Sequence, residues 1–191
     1  LVRKVPIGVI GAITPWNYPL IIDSWKLGPA LAAGNSVVLK PAEQSSLSAI
    51  RIAELAHEAG LPAGVFNVVT GYGEEAGQAL ARHMDVDMIA FTGSTEVGKL
   101  IMGYAAQTNL KRVALELGGK NPQIVCADAD LDAAADSVVF GVFFNAGQCC
   151  NSSSRLLVEK SISEEFLARV DDLARRVPVG DPLDEETKVG A

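Results

Sequence analysis

Short runs of β-branched and apolar residues alternate, along roughly the first two thirds of the chain, with longer stretches whose apolar residues recur at helical spacing. This alternation is typical of a parallel sheet covered by helices. We predict strands at Gly8–Ile13, Ser36–Lys40, Val65–Thr70, Met88–Thr92 and Arg112–Leu117. We predict helices between them at about Ile22–Ala33, Leu47–Ala59, Glu74–Arg82 and Thr95–Ala106. The predicted fold class is therefore α/β, with a doubly wound parallel sheet and right-handed connections.

The pattern changes after Gly118-Gly119, where we place a domain boundary. We expect one lobe over residues 1–119 and the beginning of a second α/β lobe over residues 120–191. The second lobe should contain a helix over Asp128–Phe144, an irregular stretch over Asn145–Ser154 and a strand over Arg155–Val158. A last helix, Ser163–Val177, should be amphipathic, with one face formed by Phe166, Leu167, Val170, Leu173 and Val177.

Composition and charge argue against several classes of protein. The net charge is −7 and no local cluster of Lys and Arg is present, so we expect no nucleic-acid partner. No apolar run approaches the roughly 20 residues of a membrane span. The three cysteines make no disulfide framework, and no Cys-x-x-Cys or His-x-x-x-His spacing indicates a metal site. We therefore expect a reducing, cytoplasmic setting without a bound metal.

Two adjacent cysteines, Cys149 and Cys150, lie in a Gly- and Ser-rich stretch directly after a predicted helix. Such a position is typical of functional loops, and a thiol there can act as a nucleophile if its surroundings favour the thiolate. The alternative is a pair of buried small hydrophobes, because cysteines are often buried. The third cysteine, Cys126, lies within the apolar run Gln123–Ala127, and we expect it in the core.

A carboxylate flanked by leucines, Glu116, stands at the end of a predicted strand and before two glycines. A charge in apolar surroundings is costly, and partial burial would raise the pKa of this group towards that of a general base. The alternative is a glutamate that simply pairs with a lysine or with a backbone amide.

Two further strand ends carry polar residues. At Thr92-Gly93-Ser94-Thr95 a strand passes through a glycine into a helix, which would present backbone N–H groups to an anion or form an ordinary N-cap. At Lys40-Pro41-Ala42-Glu43 a strand ends in a lysine, with an acid three residues later. An acid near the ribose hydroxyls of a dinucleotide is the usual determinant for NAD, and an ordinary surface pair is the alternative.

Together with Thr14-Pro15-Trp16-Asn17, these segments resemble, in their order, the aldehyde dehydrogenase superfamily. The resemblance runs from about Pro6 to Ala191. Its most specific parts are the runs LELGGK at Leu115–Lys120 and FFNAGQCC at Phe143–Cys150. It implies a Rossmann-like lobe that binds NAD(P), followed by the start of a catalytic lobe.

The resemblance implies a role for three catalytic residues. Cys150, the second residue after Gly-Gln, would be the nucleophile, with Cys149 as its neighbour. Asn17 would donate its side-chain amide to the oxyanion, together with the backbone N–H of Cys150. Glu116 would activate water for hydrolysis of a thioester. The implied reaction is oxidation of an aldehyde to a carboxylic acid through a thiohemiacetal and a thioester.

The same resemblance implies a set of cofactor contacts. Lys40 and Glu43 would hold the adenosine ribose, and Ser94 would contact the pyrophosphate. The other implied contacts are Ile13, Thr14, Trp16, Phe91, Gly93, Val97 and Leu117. We expect NAD as the cofactor, with NADP as the alternative.

Two other functions stay open at the level of the sequence: transfer of the thioester to coenzyme A, and a catalytically silent relative. The chain begins without Met and ends without a stop signal for a fold, so we expect a fragment. The resemblance implies that the full-length protein is a homodimer or homotetramer. The family's downstream Glu-x-Phe-Gly-Pro segment, which holds the nicotinamide ribose, is absent from residues 1–191. We therefore expect the isolated chain to be inactive.

Overall fold

A computed structural model describes residues 1–190. Contacts divide the chain into two compact units, Leu1–Leu117 and a second unit that begins at Gly118. The division lies at the Gly118-Gly119 pair. No helix within residues 1–190 is both long enough and apolar enough to cross a bilayer.

The first unit is built on a five-stranded sheet in which every pair of neighbours is parallel, with the order β3-β2-β1-β4-β5. This topology confirms the predicted α/β class. The strands are β1 Val9–Ile13, β2 Ser36–Lys40, β3 Phe66–Val68, β4 Met88–Gly93 and β5 Arg112–Leu117. The edge strand β3 is shorter than the predicted Val65–Thr70.

Helices connect the strands of the first unit: α1 Pro19–Ala32, α2 Leu47–Glu58, α3 Gln78–Arg82 and α4 Thr95–Ala106. Helix α1 begins three residues before the predicted start because proline is well suited to the first helical position. A π-helical turn, Gly73–Gly77, stands where the start of the third helix was predicted, so that α3 itself is only one turn long.

The apolar core of this unit lies on both faces of the sheet. On one face, Leu27 and Ala30 of α1 pack with Ile10, Ala12 and neighbouring strand residues. On the other face, Ala81 of α3 and Ile101 of α4 pack with Ile13, Ile89 and Phe91. We call these the α1 face and the α4 face. Side chains alternate between them along each strand, so that a residue's position in its strand determines which face it serves.

The second unit contains a two-stranded parallel sheet with two helices. Its elements are β6 Pro122–Val125, α5 Leu131–Phe143, β7 Arg155–Val158, α6 Ser163–Arg175, β8 Val179–Gly180 and β9 Val189–Gly190. Strand β6 and the short β8–β9 pair were not predicted. On α6, Phe166 is fully buried and Val170 and Leu173 pack with it, whereas Leu167 is exposed.

The predicted burial of Cys126 is wrong. Alternating side chains of β6 place Val125 in the core, and Cys126 follows the end of the strand, where it is exposed. The backbone N–H of the next residue, Ala127, donates to the carboxylate of Glu159 at 2.8 Å, which fixes the turn. The strand therefore ends at Val125, two residues before the end of the apolar run at Ala127.

Candidate functional site

Most of the cofactor contacts implied by the sequence lie at one edge of the sheet. Because the five strands are parallel, their carboxyl ends meet there, the usual place for a ligand in such folds. Ile13 at the end of β1 is in register with Lys40 of β2 and with Phe91 of β4. In the neighbouring pair of strands, Gly93 of β4 is in register with Leu117 of β5. Four strand ends thus bring these residues together.

The α4 side of this edge carries an apolar cleft of about 130 Å³. Its lining includes Ile13, Gly77, Val97, Leu100, Ile101 and Tyr104. Sequence reasoning identified only Ile13 and Val97. The missed signal is the spacing of three, four and seven residues between Val97 and the three other residues of α4, which places them on one side of the helix. The apolar walls suit the flat face of a heteroaromatic base.

The carboxyl end of β2 carries an ion pair. Lys40 is almost fully buried, and its Nζ lies 2.6 Å from Oε1 of Glu43. Burial alone would raise the pKa of Glu43, but hydrogen bonds from Lys40 and from backbone N–H groups, including that of Gly73, outweigh it and hold the pKa below its usual value. Glu43 is therefore an anionic acceptor that remains partly exposed.

At the end of β4, Ser94 is the N-cap of α4, and its Oγ accepts from the N–H of Val97 at 3.2 Å. The hydroxyl hydrogen is still available to an anion, and the helix N-terminus adds favourable electrostatics. A Cβ at Gly93 would lie 2.5 Å from the ring of Phe91, so glycine leaves room for this ring. Ser94 can therefore cap α4 and bind an anion at the same time.

The α1 side of the edge carries polar residues instead. Thr14 follows β1 and is buried, and its N–H donates to the carbonyl of Lys40 at 3.1 Å. Thr92 of β4 is in register with Glu116 of β5 on the same face. Asn17 is half-buried and Trp16 is exposed, both in the bend between β1 and α1.

The predicted burial of Glu116 is wrong. Its side chain is exposed, as are those of Arg112 and Ala114 on the same face of β5, whereas the alternate residues of this strand are half-buried. The reason is the position of β5 at the edge of the sheet: the α1 face is covered over β1 and β2, where α1 packs. An exposed carboxylate remains accessible to water.

In the second unit, Cys150 is exposed, whereas Cys149 is half-buried and its Sγ contacts the carbonyl oxygen of Phe144 at 3.3 Å. Asn145 and Ala146 adopt the left-handed conformation, with φ of 52° and 55°. The left-handed conformation costs about 1–2 kcal/mol for each non-glycine residue. Backbone strain of this kind is concentrated at functional sites, where other contacts maintain it.

A family comparison accounts for the whole chain: the model of the aldehyde dehydrogenase family matches residues 1–191. The chain belongs to this family. Its relatives include retinaldehyde dehydrogenase 3 of Mus musculus, 57% identical over 98% of this chain and 37% of the relative. The NADP/NAD-dependent aldehyde dehydrogenase PuuC of Escherichia coli is 58% identical over 100% of this chain and 39% of that protein.

Solved structures of aldehyde dehydrogenases share the fold. The indole-3-acetaldehyde dehydrogenase AldA of P. syringae, in a complex with NAD⁺ and IAA, is 57% identical, with a TM-score of 0.94 over 96% of this chain and 37% of that one. KauB of Pseudomonas aeruginosa has the same TM-score at 58% identity, over 96% of this chain and 37% of KauB. The chain thus spans a little over a third of the length of these aldehyde dehydrogenases.

Sequence reasoning missed two charged residues of α1, Asp23 and Lys26. Asp23 is fully buried, and neither carboxylate oxygen has a hydrogen-bond partner of ordinary geometry. Burial raises the pKa of Asp23, against the lowering effects of the Thr14 hydroxyl and of Lys26. Burial lowers the pKa of Lys26, against the raising effects of Glu116 and Asp23. An acid within the apolar run Leu20–Trp25 was the available signal.

This burial predicts a pH-dependent effect of Asp23→Asn. An acid whose pKa is raised on folding contributes stability below its ordinary pKa and loses it as pH rises through the folded value. At pH 7 the substitution removes a buried charge, so the free energy of unfolding should increase by roughly 1 kcal/mol. Below about pH 4 this gain in the free energy of unfolding should vanish, because Asp23 is then protonated and is as neutral as the asparagine that replaces it.

Denaturant unfolding of the full-length protein between pH 4 and pH 8 tests this expectation. The matched control is Asp85→Asn, since Asp85 is exposed in the same unit. Equal gains at pH 4 and pH 7 would exclude ionisation of Asp23 as the cause.

Proposed function

We propose that the full-length protein containing this chain oxidises an aldehyde to a carboxylic acid, with NAD(P)⁺ as the hydride acceptor. The observation that carries the proposal is the exposed thiol of Cys150, two residues after Gly147-Gln148 in a member of the aldehyde dehydrogenase family. Cys149 is less suited to attack a substrate, since it is half-buried and in contact with a backbone carbonyl.

The proposed mechanism begins with the thiolate of Cys150, which adds to the aldehyde carbon and forms a thiohemiacetal. The side-chain amide of Asn17 and the backbone N–H of Cys150 donate to the oxyanion, and one such donor contributes roughly 3 kcal/mol. Nicotinamide, when bound, accepts the hydride that leaves this carbon. The carbon is then oxidised to the level of a thioester on the sulfur of Cys150.

The second half of the proposed mechanism is hydrolysis. Glu116 removes a proton from water, the resulting hydroxide adds to the thioester carbon, and the carboxylic acid leaves as the thiolate of Cys150 is restored. The exposed carboxylate of Glu116 is accessible to this water. The charge of Lys26 on α1 interacts with that of Glu116.

The residues present fit a dinucleotide. The apolar cleft beside Val97 and Leu100 suits an adenine, and the carboxylate of Glu43 can accept from ribose hydroxyls. The N-terminus of α4, with Ser94 as its cap, suits the pyrophosphate. These residues would bind and orient the cofactor.

The proposal also includes the cellular compartment and the oligomeric state of the full-length protein. We propose a reducing, cytoplasmic compartment because Cys150 must remain a free thiol to act. We also propose a homodimer or homotetramer for the full-length protein, which sedimentation would test.

Product analysis tests the proposed reaction. The full-length protein should convert members of an aldehyde panel to carboxylic acids with NAD⁺ or NADP⁺, and the panel should include retinaldehyde, aminoacetaldehyde and indole-3-acetaldehyde, named for relatives. Each reaction is run with and without coenzyme A. Formation of an acyl-coenzyme A with no free acid would instead show the acylating reaction, and no oxidation of any member would count against the proposal.

We expect NAD⁺ to bind more tightly than NADP⁺. The ionised Glu43 should accept from the ribose hydroxyls and repel a 2′-phosphate, and a repulsion of about 1–2 kcal/mol corresponds to roughly five- to thirtyfold in affinity. Glu43→Gln should remove most of this preference. Calorimetric titration measures both affinities, with Glu54→Gln on the exposed side of α2 as the control. Equal or tighter binding of NADP⁺ by the unmodified protein would contradict the prediction.

A further inference from the structure

The polypeptide around Cys150 lacks regular structure over residues 148–154. It follows the left-handed turn at Asn145 and Ala146, a conformation that persists only where surrounding contacts determine it. Contacts within and around this segment include the bond from Ser152 Oγ to the carbonyl of Gly141 at 2.9 Å, the contact of Cys149 Sγ with the carbonyl of Phe144, and the bond from the N–H of Ser152 to the carbonyl of Cys149 at 3.2 Å. Cys150 is the second residue of the turn that this last bond closes, and its own carbonyl has an anchor outside the segment.

Asn121 supplies this anchor. Its side-chain Nδ2 donates to the carbonyl oxygen of Cys150 at 2.8 Å, across 29 positions of sequence. The amide is half-buried, and its bond links the segment to the start of β6.

Asn121 is itself fixed by its main chain. Its carbonyl accepts from the N–H of Arg155 at 3.2 Å, and the neighbouring carbonyl of Lys120 accepts from Arg155 Nε at 2.8 Å. These bonds extend the β6–β7 pairing, in which Pro122 is in register with Arg155. The donor to Cys150 thus projects from the residue directly before β6, where the main chain is hydrogen-bonded to the start of β7, and such support favours precise positioning.

We propose that Asn121 is a positioning residue for the thiol and the oxyanion-binding N–H of Cys150. The inference rests on the proposed function of Cys150 as the nucleophile. The bond restrains the peptide plane that follows Cys150, and it therefore limits the directions that the N–H and Sγ of this residue can take relative to β6 and β7. Attack and oxyanion stabilisation both depend on these directions, and a displacement near 1 Å costs on the order of a hundredfold in rate.

The test replaces Asn121 with leucine, which has nearly the same shape and no donor. Rapid mixing of the full-length protein should show the burst of reduced cofactor slowed about ten- to a hundredfold. The affinity for NAD⁺ and the midpoint of unfolding should change little. Hydrogen exchange should accelerate in peptides that span residues 148–154. The matched control is Asn67→Leu, which removes an exposed amide-to-carbonyl bond of 2.9 Å to Gly64 and should change none of these quantities.

Each outcome decides the proposal. An unchanged burst rate, or unchanged exchange over residues 148–154, would overturn it. A parallel fall in burst rate, NAD⁺ affinity and unfolding midpoint would also overturn it, since that pattern indicates a general loss of structure. If the unmodified protein released no reduced cofactor with any aldehyde, the proposed function would fail, and exchange over residues 148–154 would still decide whether Asn121 holds this segment.

Discussion

Cys150→Ala should abolish aldehyde oxidation by the full-length protein, whereas Cys149→Ala should leave most of the activity. Loss of a nucleophile removes the covalent route altogether, and such losses lower kcat by on the order of 10⁴-fold or more. The exposed thiol of Cys150 is free to reach a substrate, while Cys149 is half-buried. Loss of Cys149 removes the contact of its sulfur with the carbonyl of Phe144.

Steady-state turnover of the two variants measures the difference, and covalent labelling gives an independent measurement. Iodoacetamide should modify Cys150, and aldehyde together with cofactor should protect it, as peptide mapping would show. Cys126 serves as an internal control because it is exposed on the turn after β6 and has no proposed role. Protection confined to Cys149 would show that the nucleophile was assigned to the wrong cysteine.

The strands of the five-stranded sheet were predictable because each is marked by residues within and directly beside it. Strands covered on both faces become short, nearly continuous apolar runs, and Gly, Pro and polar residues mark their ends. β2 was therefore predicted to the residue. Because strands of this kind are joined by helices, the alternation also predicts that they are parallel, and the position of the ligand edge follows from that direction.

The burial of a side chain was not predictable where it depends on what covers one face of its strand. Glu116 was expected in apolar surroundings because leucines flank it, yet those leucines point to the opposite face and leave Glu116 exposed. Cys126 was expected in the core because its run is apolar, but the alternation of β6 ends at Val125. In both cases the neighbours in sequence are not the neighbours in space.

Contacts between distant segments were equally hidden. The bond from Asn121 to Cys150 joins residues 29 positions apart, and no local pattern marks its donor. The left-handed conformation of Ala146 has no marker either, because alanine does not favour it. Asp23 and Lys26 acquire their altered pKa values from the packing of α1 on the sheet. Family resemblance suggested the candidate reacting groups, and the structure adds contacts that no local pattern indicates.

The role of Glu116 can be separated from that of Cys150 in time, because hydride transfer precedes hydrolysis. Glu116→Gln should therefore retain the first release of reduced cofactor and then stall at the thioester. The loss of a general base typically slows its step by 10²–10⁴-fold, so the steady-state rate should fall by about that factor. The glutamine that replaces Glu116 has nearly the same size, and it should keep the place of Glu116 beside Thr92 on the α1 face of the sheet.

Absorbance at the nicotinamide band, followed by rapid mixing, should show a burst close to one equivalent per active site in Glu116→Gln, and mass spectrometry should detect acylated Cys150. The matched control is Glu185→Gln, an exposed glutamate of the second unit, which should turn over normally. Added coenzyme A should not restore the rate if hydrolysis is the native second step. Unimpaired steady-state turnover of Glu116→Gln would remove this carboxylate from the mechanism, and Asp23 and Lys26 would then have to be tested as the source of the base.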